Sequence, residues 1–211
     1  CSDEGLSIAE ALITGTAKAI SDGSYKDGRG TSAATIEGDD FRKDIKTVNR
    51  VPGTPQQQSS FRSELAGINM ILTHLMALCE LHDIHTGSVT IGLDGKQAML
   101  NCQKENLESN DADFDMLCDI QTKIKKMTIH ISFKWIKGHQ DSSTSTQLLD
   151  VWAQRNILVD SMAKKHMQLS IDLKPNIRLK YEGWSAHIGP CKLARINIKE
   201  IYQMITKKDV R

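Results

Sequence analysis

The sequence predicts an α/β domain built on a five-stranded mixed sheet, and three observations support this fold class. Residues 16–38 read as two strands joined by an Asp27-Gly28 step, which is a strong signal for a β-hairpin. Apolar residues then recur at helical spacing from Phe61 to Cys79. Strand and helix patterns alternate after that helix, an order that implies parallel pairing. We therefore expect an antiparallel meander followed by parallel strands, with helices flanking the sheet.

The remaining elements follow from local patterns. A short helix is expected at residues 7–12, where Ser7 and Glu10 have the spacing of a capping box. Residues 41–51 are expected to form the third strand of the meander, and residues 52–60 a loop before the long helix. The later predicted elements are, in chain order, a strand at 88–94, helices at 95–104 and 112–126, a strand ending at Trp135 and a helix at 150–169.

Size and composition indicate an ordinary globular protein. The chain has 211 residues, of which 39% are hydrophobic and 25% charged, and its length suits one domain with an appendage. No window reaches the ~18 continuous apolar residues of a membrane span, so no membrane partner is expected. The five cysteines include no C-x-x-C pair, which argues against a zinc ribbon and a disulfide framework. An intracellular, reducing setting and a monomeric isolated domain are expected.

Charge divides the chain into unequal parts. We expect an N-terminal extension at 1–15, a main domain at 16–169 and an appendage at 170–211 that contains a hairpin and a short helix. The appendage has nine basic and four acidic residues, a net charge of +5, whereas residues 1–169 carry −4. A basic appendage on an acidic body indicates a polyanionic partner, although a solvated charged surface explains the same charges equally well.

Four carboxylates occupy positions that structure alone explains poorly. Asp22 interrupts an apolar strand, where aspartate is unfavourable unless it is a turn acid at the strand end. Glu64 lies on the apolar stripe of the long helix, where a helix-dipole role is the alternative. Asp94 closes its strand before a helix that it could cap. Asp160 follows Asn156 by about one helical turn and could be a satisfied surface acid.

Taken together, these acids predict a metal site. Carboxylates from two strands and two helices cannot stay unpaired if they are buried together, and a shared divalent cation would neutralise them. Oxygen-only ligands favour Mg²⁺ or Mn²⁺ over zinc. Two such ions would activate water and stabilise the leaving oxygen in phosphodiester cleavage.

The segment "WIKGHQD", residues 135–141, ends a strand and contains ionisable side chains that a turn does not require. The preceding residues alternate in polarity, as a half-buried strand does. A turn needs only Gly138, yet His139 and Asp141 follow it directly. We interpret this segment as a loop at the rim of the sheet that takes part in a reaction.

Five segments carry a resemblance to a known family. The chain resembles the ribonuclease H family, particularly the domains that adjoin a reverse transcriptase in retroelement polyproteins. The likeness extends over residues 16–169 and rests on five segments in order: "ISDGSYKDGRGTSAA", "SSFRSELAGI", "VTIGLDGKQAM", "WIKGHQD" and "NILVDSMAKKH". The resemblance implies the ribonuclease H fold and hydrolysis of the RNA strand of RNA/DNA hybrids. It also implies a fused or associated reverse transcriptase domain as a partner.

The resemblance assigns roles to individual residues. Two Mg²⁺ or Mn²⁺ ions would be held by the four carboxylates, Asp22, Glu64, Asp94 and Asp160. His139 would shuttle protons or help the product leave, as an imidazole near neutral pKa can. Arg62 and Asn156 match motif positions and would contact nucleic acid or orient the acids.

Three departures from the family pattern stand out. Gly95 replaces a small hydroxyl residue after the third acid. The loop between His139 and Asp160 is lengthened by Ser/Thr-rich sequence. Residues 103–117 are acidic where many relatives have a basic protrusion. Their D-x-D-x-D run lacks the loop glycine and distal glutamate of an EF-hand, so we interpret these acids as helix N-terminal acids.

The sequence therefore predicts a metal-dependent endoribonuclease acting on RNA/DNA hybrids. Two rivals are a catalytically inactive docking module of the same fold and a DNA strand-transfer enzyme. Because the body lacks a basic protrusion, the appendage is expected to supply part of the grip on the hybrid, through Lys192 and Arg195. The alternative is that the appendage only packs on the core.

Overall fold

A computed structural model describes residues 3–40, 43–108 and 111–169, together with the backbone of 187–188 and 191–192. The elements are α1 (Leu6–Thr14), β1 (Ala17–Lys26), β2 (Arg29–Glu37), β3 (Ile45–Arg50), α2 (Ser60–Leu81), β4 (Ser88–Leu93), α3 (Lys96–Cys102), α4 (Phe114–Lys126), β5 (His130–Trp135), α5 (Val151–Leu169), β6 (His187–Ile188) and β7 (Cys191–Lys192).

The main sheet has the predicted mixed topology. Its strand order is β3-β2-β1-β4-β5. The β1–β2 and β2–β3 pairs are antiparallel, and the β1–β4 and β4–β5 pairs are parallel. The predicted fold class, a meander continued by parallel strands and flanked by helices, is confirmed.

The β1–β2 hairpin turns at the predicted dipeptide. Asp27 and Gly28 have φ angles of 51° and 74°, the left-handed pair that a tight two-residue hairpin turn requires. Lys26 and Arg29 are consequently direct cross-strand partners at the end of the ladder.

The start of α1 differs from the prediction. The helix begins at Leu6, its N-cap residue is Gly5 with φ 85°, and no side chain caps it. The backbone N–H groups of Gly5 and Ser7 instead donate to the Asp3 carboxylate, each at 3.2 Å. The predicted Ser7–Glu10 capping box is therefore wrong, because an upstream acid takes the orphan donors.

Hydrophobic clusters lie on both faces of the sheet, and one cluster is much larger than the other. The larger cluster includes the buried face of α1, the apolar stripe of α2 and the inner residues of β4 and α4. The smaller cluster lies under α5 and has five buried members: Ile20, Ala33, Ile136, Val159 and Ala163. Helix α2 is long and apolar enough to cross a membrane by length and composition, but 61% of its apolar window is buried inside the fold.

Beyond α5, the described backbone consists of two short strands. β6 pairs antiparallel with β7, and His187 lies opposite Lys192. This agrees with the hairpin expected in the appendage. The short helix predicted there lies outside the described residues.

Candidate metal centre and active site

Three of the predicted acids converge at one place on the sheet. Each of Asp22, Glu64 and Asp94 offers a carboxylate oxygen, and these oxygens lie within 4.8 Å of one another. Ile20 pairs with Gly92 in the parallel β1–β4 ladder. Asp22 and Asp94 each lie two residues after this pair, so they are side by side on neighbouring strands. Asp22 lies inside β1, which continues to Lys26, so it is not a turn acid at a strand end.

Gly23 explains how the acid of α2 reaches the acids of the strands. A Cβ at Gly23 would lie 2.5 Å from the backbone nitrogen of Glu64. The backbones of β1 and α2 therefore touch at this point, and only glycine fits. Ser59 fixes the start of α2, since its Oγ accepts a hydrogen bond from the backbone N–H of Arg62 at 2.9 Å. Glu64 is thus placed on the second turn of a capped helix.

The carboxylates of this cluster have raised pKa values, as expected of buried negative charges that lack a counter-ion. Burial, followed by the charges of Asp94 and Asp160, raises the pKa of Asp22 to about 7. Burial, followed by the charges of Asp22 and Asp94, raises the pKa of Glu64 well above its ordinary value. Oε2 of Glu64 is buried and has no hydrogen-bond partner among the residues that the structure describes. A cation bound between these oxygens would remove both penalties.

Asp94 is held by three contacts. Asn156 Nδ2 donates a hydrogen bond to Asp94 Oδ2 at 3.3 Å. Trp135 Nε1 donates to the backbone carbonyl of Asp94 at 3.0 Å. A Cβ at Gly138 would lie 2.5 Å from Asp94 Oδ2, so the glycine of the K-G-H segment packs directly against this carboxylate. Helix α3 has Gly95 as its N-cap and no side-chain cap, which leaves the Asp94 carboxylate available to the cluster.

Gly95 also has a steric role. A Cβ at this position would lie 3.1 Å from Glu64 Cγ and 3.2 Å from Glu64 Cδ. The glycine that replaces the family's hydroxyl residue therefore leaves room for the Glu64 carboxylate.

Asp160 lies beside the cluster without joining its tight group. The negative charge of Asp160 is one of the causes that raise the pKa of Asp22, after burial and the charge of Asp94. Lys164 Nζ donates to Asp160 Oδ2 at 2.7 Å, one helical turn along α5. The side chain of Asp160 is 26% exposed. Asp160 thus has a lysine partner near the surface and acts on Asp22 through its charge.

His139 lies at the rim of the sheet, next in sequence to the glycine that touches Asp94. Its side chain is exposed, and its backbone is left-handed, with φ 52°. The His139 carbonyl accepts a hydrogen bond from Ser142 Oγ at 2.7 Å, which ties the start of the lengthened loop to the histidine backbone.

Arg62 has a different position from the one expected of a nucleic-acid contact. Its side chain is 0% exposed. The guanidinium donates to Asp113 Oδ1 and, through two nitrogens, to Asp115, each at 2.8 Å. Nε donates to the Pro52 carbonyl at 2.7 Å. This burial corrects the expectation: Arg62 presents no surface to a nucleic acid and instead ties the first turn of α2 to the start of α4.

The same contacts explain the acidic run. Asp115 lies in the first turn of α4, as expected of a helix N-terminal acid, and Asp113 is the N-cap residue of that helix. Asp111 accepts from Lys104 Nζ at 2.6 Å and from the Glu108 backbone N–H at 2.9 Å. The run is therefore organised by a buried arginine and a surface lysine.

The other predicted contacts have different outcomes. Asn156 is buried against Asp94, a placement suited to orienting that acid rather than to contacting nucleic acid. Lys192 lies in β7, where only the backbone is described, and Arg195 lies outside the described residues.

Sequence reasoning missed Lys164, Trp135 and Gly138 as neighbours of the acids. The i,i+4 spacing of Asp160 and Lys164 was a usable signal for their ion pair. The contacts of Trp135 and Gly138 with Asp94 cross between strands and left no local signal.

Comparisons with known proteins identify the fold. No protein-family model matches the chain, and no curated protein matches it. Among solved structures, LC11-RNase H1 in complex with an RNA/DNA hybrid superposes with a TM-score of 0.53 at 12% identity, covering 73% of this chain and 99% of that one. LC11-RNase H1 from compost has a TM-score of 0.51 at 11% identity, covering 74% and 98%.

A third structure, RNase H1 from the halophilic archaeon Halobacterium salinarum NRC-1, has a TM-score of 0.48 at 8% identity and covers 72% of this chain and 97% of that one. The strand order and the two LC11-RNase H1 superpositions lead to the same assignment. The chain contains a domain with the ribonuclease H-like fold.

Proposed function

We propose that this protein is a metal-dependent nuclease that hydrolyses the RNA strand of RNA/DNA hybrids. The observation that carries the proposal is the convergence of Asp22, Glu64 and Asp94 on a ribonuclease H-like sheet, with Glu64 Oε2 buried and unpartnered among the described residues. Buried acids without a counter-ion are costly, and they cluster where function requires them.

The donor set fits a hard divalent cation. All the available ligand atoms are carboxylate oxygens, which suit Mg²⁺ or Mn²⁺. Asp22, Glu64 and Asp94 would hold one ion, and Asp160 would join Asp22 in holding a second. When bound, the ions supply Lewis-acid activation of water and charge stabilisation at the leaving oxygen.

The chain's own residues keep this site ordered. Asn156 and Gly138 fix the Asp94 carboxylate from two sides, and Trp135 fixes its backbone. Lys164 neutralises Asp160 where α5 faces the cluster. His139, exposed beside this rim, moves protons to or from the reacting oxygens or assists product departure.

The substrate assignment rests on the fold and on charge. One structural neighbour, LC11-RNase H1, was solved in complex with an RNA/DNA hybrid. Recognition of such a duplex would use phosphates and the 2′-OH groups of the minor groove, so sequence preference should be weak. We further propose that the domain works beside a reverse transcriptase, as its sequence resemblance implies. Its cysteine usage favours an intracellular setting, and we propose that the isolated domain is monomeric.

Cleavage assays test the proposal. Labelled RNA/DNA hybrid, double-stranded RNA and double-stranded DNA are incubated with the protein in Mg²⁺, in Mn²⁺ or in chelator. We expect cleavage of the hybrid RNA strand alone, in either metal and not in chelator. Asp22→Asn should abolish cleavage, whereas Asp83→Asn, whose side chain is 91% exposed, should not change it.

Other outcomes would identify the rivals. Hybrid binding without cleavage in either metal would indicate an inactive docking module. Metal-dependent strand scission of double-stranded DNA would indicate a strand-transfer enzyme. Cleavage by Asp22→Asn at the wild-type rate would show that the carboxylate assignment is wrong.

A further inference from the structure

A basic cleft lies at the hairpin end of the sheet, beyond the acid cluster. One cavity of about 470 Å³ is bounded by the end of the β1–β2 hairpin and the last turns of α5. A second, of about 170 Å³, is bounded by the hairpin, the end of β3 and the loop before α2. Arg29 lines both cavities. We call the two together the hairpin cleft.

The walls of the hairpin cleft carry an excess of positive charge. The larger cavity is lined by Lys26 and Arg29, by Lys164, whose charge is paired with Asp160, and by the half-exposed ring of Tyr25. Asp27 is the one acid among its described lining residues. Arg29 and Arg50 line the smaller cavity, where no acid is among the lining residues that the structure describes. Lys26 and Arg29 are direct cross-strand partners, an arrangement of like charges that destabilises a hairpin by itself.

Arg50 gives a second and independent indication of a ligand. Its Nη1 is buried and meets no hydrogen-bond acceptor in the part of the chain that the structure describes. Gln58 also lines the smaller cavity, and its Nε2 donates to the carbonyls of Val51 and Gly53 at 3.1 and 3.3 Å. Its Oε1 is a buried acceptor that likewise meets no donor among the described residues. The loop is thus fixed against an arginine donor that lacks a partner, and buried donors normally have one.

The hairpin cleft adjoins the acid cluster along two elements. Ser24 lines the larger cavity and lies two residues after Asp22, on the same face of β1. Lys164 lines it from α5 while its Nζ bonds to Asp160. Lys26 lies four residues beyond Asp22, about 13 Å along the strand. That distance corresponds to roughly four base-pair steps of a duplex.

The hairpin cleft is basic although the part of the chain that contains it, residues 1–169, has a net negative charge. Residues 1–169 carry a net charge of −4, and segment 103–117 is acidic, unlike the basic protrusion that many ribonuclease H family members have there. A nucleic acid strand is a dense polyanion whose affinity comes largely from cationic contacts. In the described part of the chain, the hairpin cleft next to the acids combines basic walls with a buried arginine donor that lacks a partner, as a phosphate site would.

We propose that the hairpin cleft binds phosphate groups of the strand that lies across the acid cluster, on the side of the scissile bond toward the β1–β2 hairpin. Lys26, Arg29 and Arg50 contact the phosphate oxygens, and Tyr25 packs against a sugar. This inference rests on the proposed function, because it takes the acid cluster as the place where the strand is cleaved.

Binding measurements test the hairpin cleft separately from cleavage. The protein carries Asp22→Asn so that the strand stays intact, and its affinity for a fluorescent RNA/DNA hybrid is measured in Mg²⁺ at several salt concentrations. Lys26→Gln and Arg50→Gln are compared with Lys18→Gln and Lys46→Gln. These controls remove the same charge from the same two strands, β1 and β3, at the far end of the sheet.

We expect each cleft variant to weaken hybrid binding roughly threefold to tenfold and to lower the slope of log K against log salt by about one. The controls should change neither quantity. Replacing the phosphates on the hairpin side of the scissile bond with uncharged methylphosphonates should weaken binding to the reference protein, but much less to Arg50→Gln. Melting temperatures of all four variants show whether each is folded.

Three results would overturn the inference. The cleft variants could bind the hybrid as the controls do, or the methylphosphonates could weaken binding to Arg50→Gln as much as to the reference protein. Inorganic phosphate could saturate Arg50 while hybrid affinity stays independent of it, which would make the cleft a free-anion site. Failure of the proposed function would look different: the wild-type protein would bind the hybrid through the cleft without cleaving it.

Discussion

Gly138 packs against the carboxylate of Asp94, so closely that a Cβ on the glycine would lie 2.5 Å from Asp94 Oδ2. The loop that carries His139 is therefore joined sterically to the third acid of the cluster. The glycine does more than turn the chain at the end of β5. It sets how near the loop comes to the candidate metal centre.

Gly138→Ala should consequently displace the Asp94 carboxylate and lower hydrolysis by roughly 10- to 100-fold, as small misplacements of reacting groups do. The weakened step should be metal binding, which titration calorimetry with Mg²⁺ measures directly. Ser143→Ala, an exposed residue of the same loop, serves as the control. Unchanged Mg²⁺ affinity in a folded Gly138→Ala protein would contradict the steric argument.

The acid cluster should make the metal-free protein pH-sensitive. The pKa of Asp22 is raised from 3.8 to about 7, so the folded state favours the protonated acid. This stabilising contribution is complete below the unfolded-state pKa and is lost as pH rises from about 4 through 7. Asp22→Asn should therefore increase the free energy of unfolding above pH 7, by up to about 4 kcal/mol, and have little effect at pH 4.

Urea denaturation at pH 4, 6 and 8, with and without Mg²⁺, measures this difference. Bound Mg²⁺ should stabilise the wild-type protein at pH 8 and have a much smaller effect on Asp22→Asn. Equal unfolding free energies for the two proteins at pH 8 without metal would show that Asp22 is not strained by its neighbours.

His139→Ala should lower turnover by roughly 10²-fold or less, because general acid–base assistance contributes ~10²–10⁴ and water can partly replace it. The side chain is exposed, so the melting temperature should hardly change. Single-turnover rates in Mg²⁺ are the informative measurement, because they separate the chemical step from product release. A wild-type turnover and single-turnover rate would mean that the lengthened loop holds the histidine away from the reaction.

Arg62→Met should destabilise the fold by about 3–5 kcal/mol, because it leaves buried carboxylates facing a removed cation. Asp115, the bidentate partner, has a side chain that is 7% exposed. The double variant Arg62→Met/Asp115→Asn should recover part of this loss. Lys104→Met is the matched control, since the Lys104–Asp111 pair lies in the same region but the lysine is 41% exposed.

Thermal and urea unfolding of the four proteins complete this test. The exposed pair should contribute less than about 1 kcal/mol. If Arg62→Met were as mild as Lys104→Met, the arginine would not be what fixes the start of α2.

Local patterns predicted most of the fold. The Asp27-Gly28 turn, the apolar stripe of α2 and the alternation before Trp135 each depend on neighbours in sequence, and all appear in the structure. The convergence of three acids was predicted because their elements were identified correctly.

The wrong predictions concern residues whose partners cannot be found from local sequence patterns. Arg62 was expected to contact nucleic acid or orient the acids, but its carboxylate partners lie 51 and 53 residues away, and no local pattern reveals them. The Ser7–Glu10 capping box was wrong because the backbone N–H of Ser7 donates to the Asp3 carboxylate instead. The contact between Gly138 and Asp94 similarly depends on how β4 and β5 align, which sequence spacing does not show.

The small size of the cluster beneath α5 has a consequence for control of the site. The buried cluster between this helix and the sheet has five members, whereas the opposite face has a far larger core. Segments with fewer buried contacts open at lower free energy than the whole domain does. When α5 detaches, Asp160 and Asn156 leave together, while Asp22, Glu64 and Asp94 stay on the better-supported side. Fraying of this one helix would therefore remove two of the site's side chains and switch the site off while the rest of the architecture stays folded.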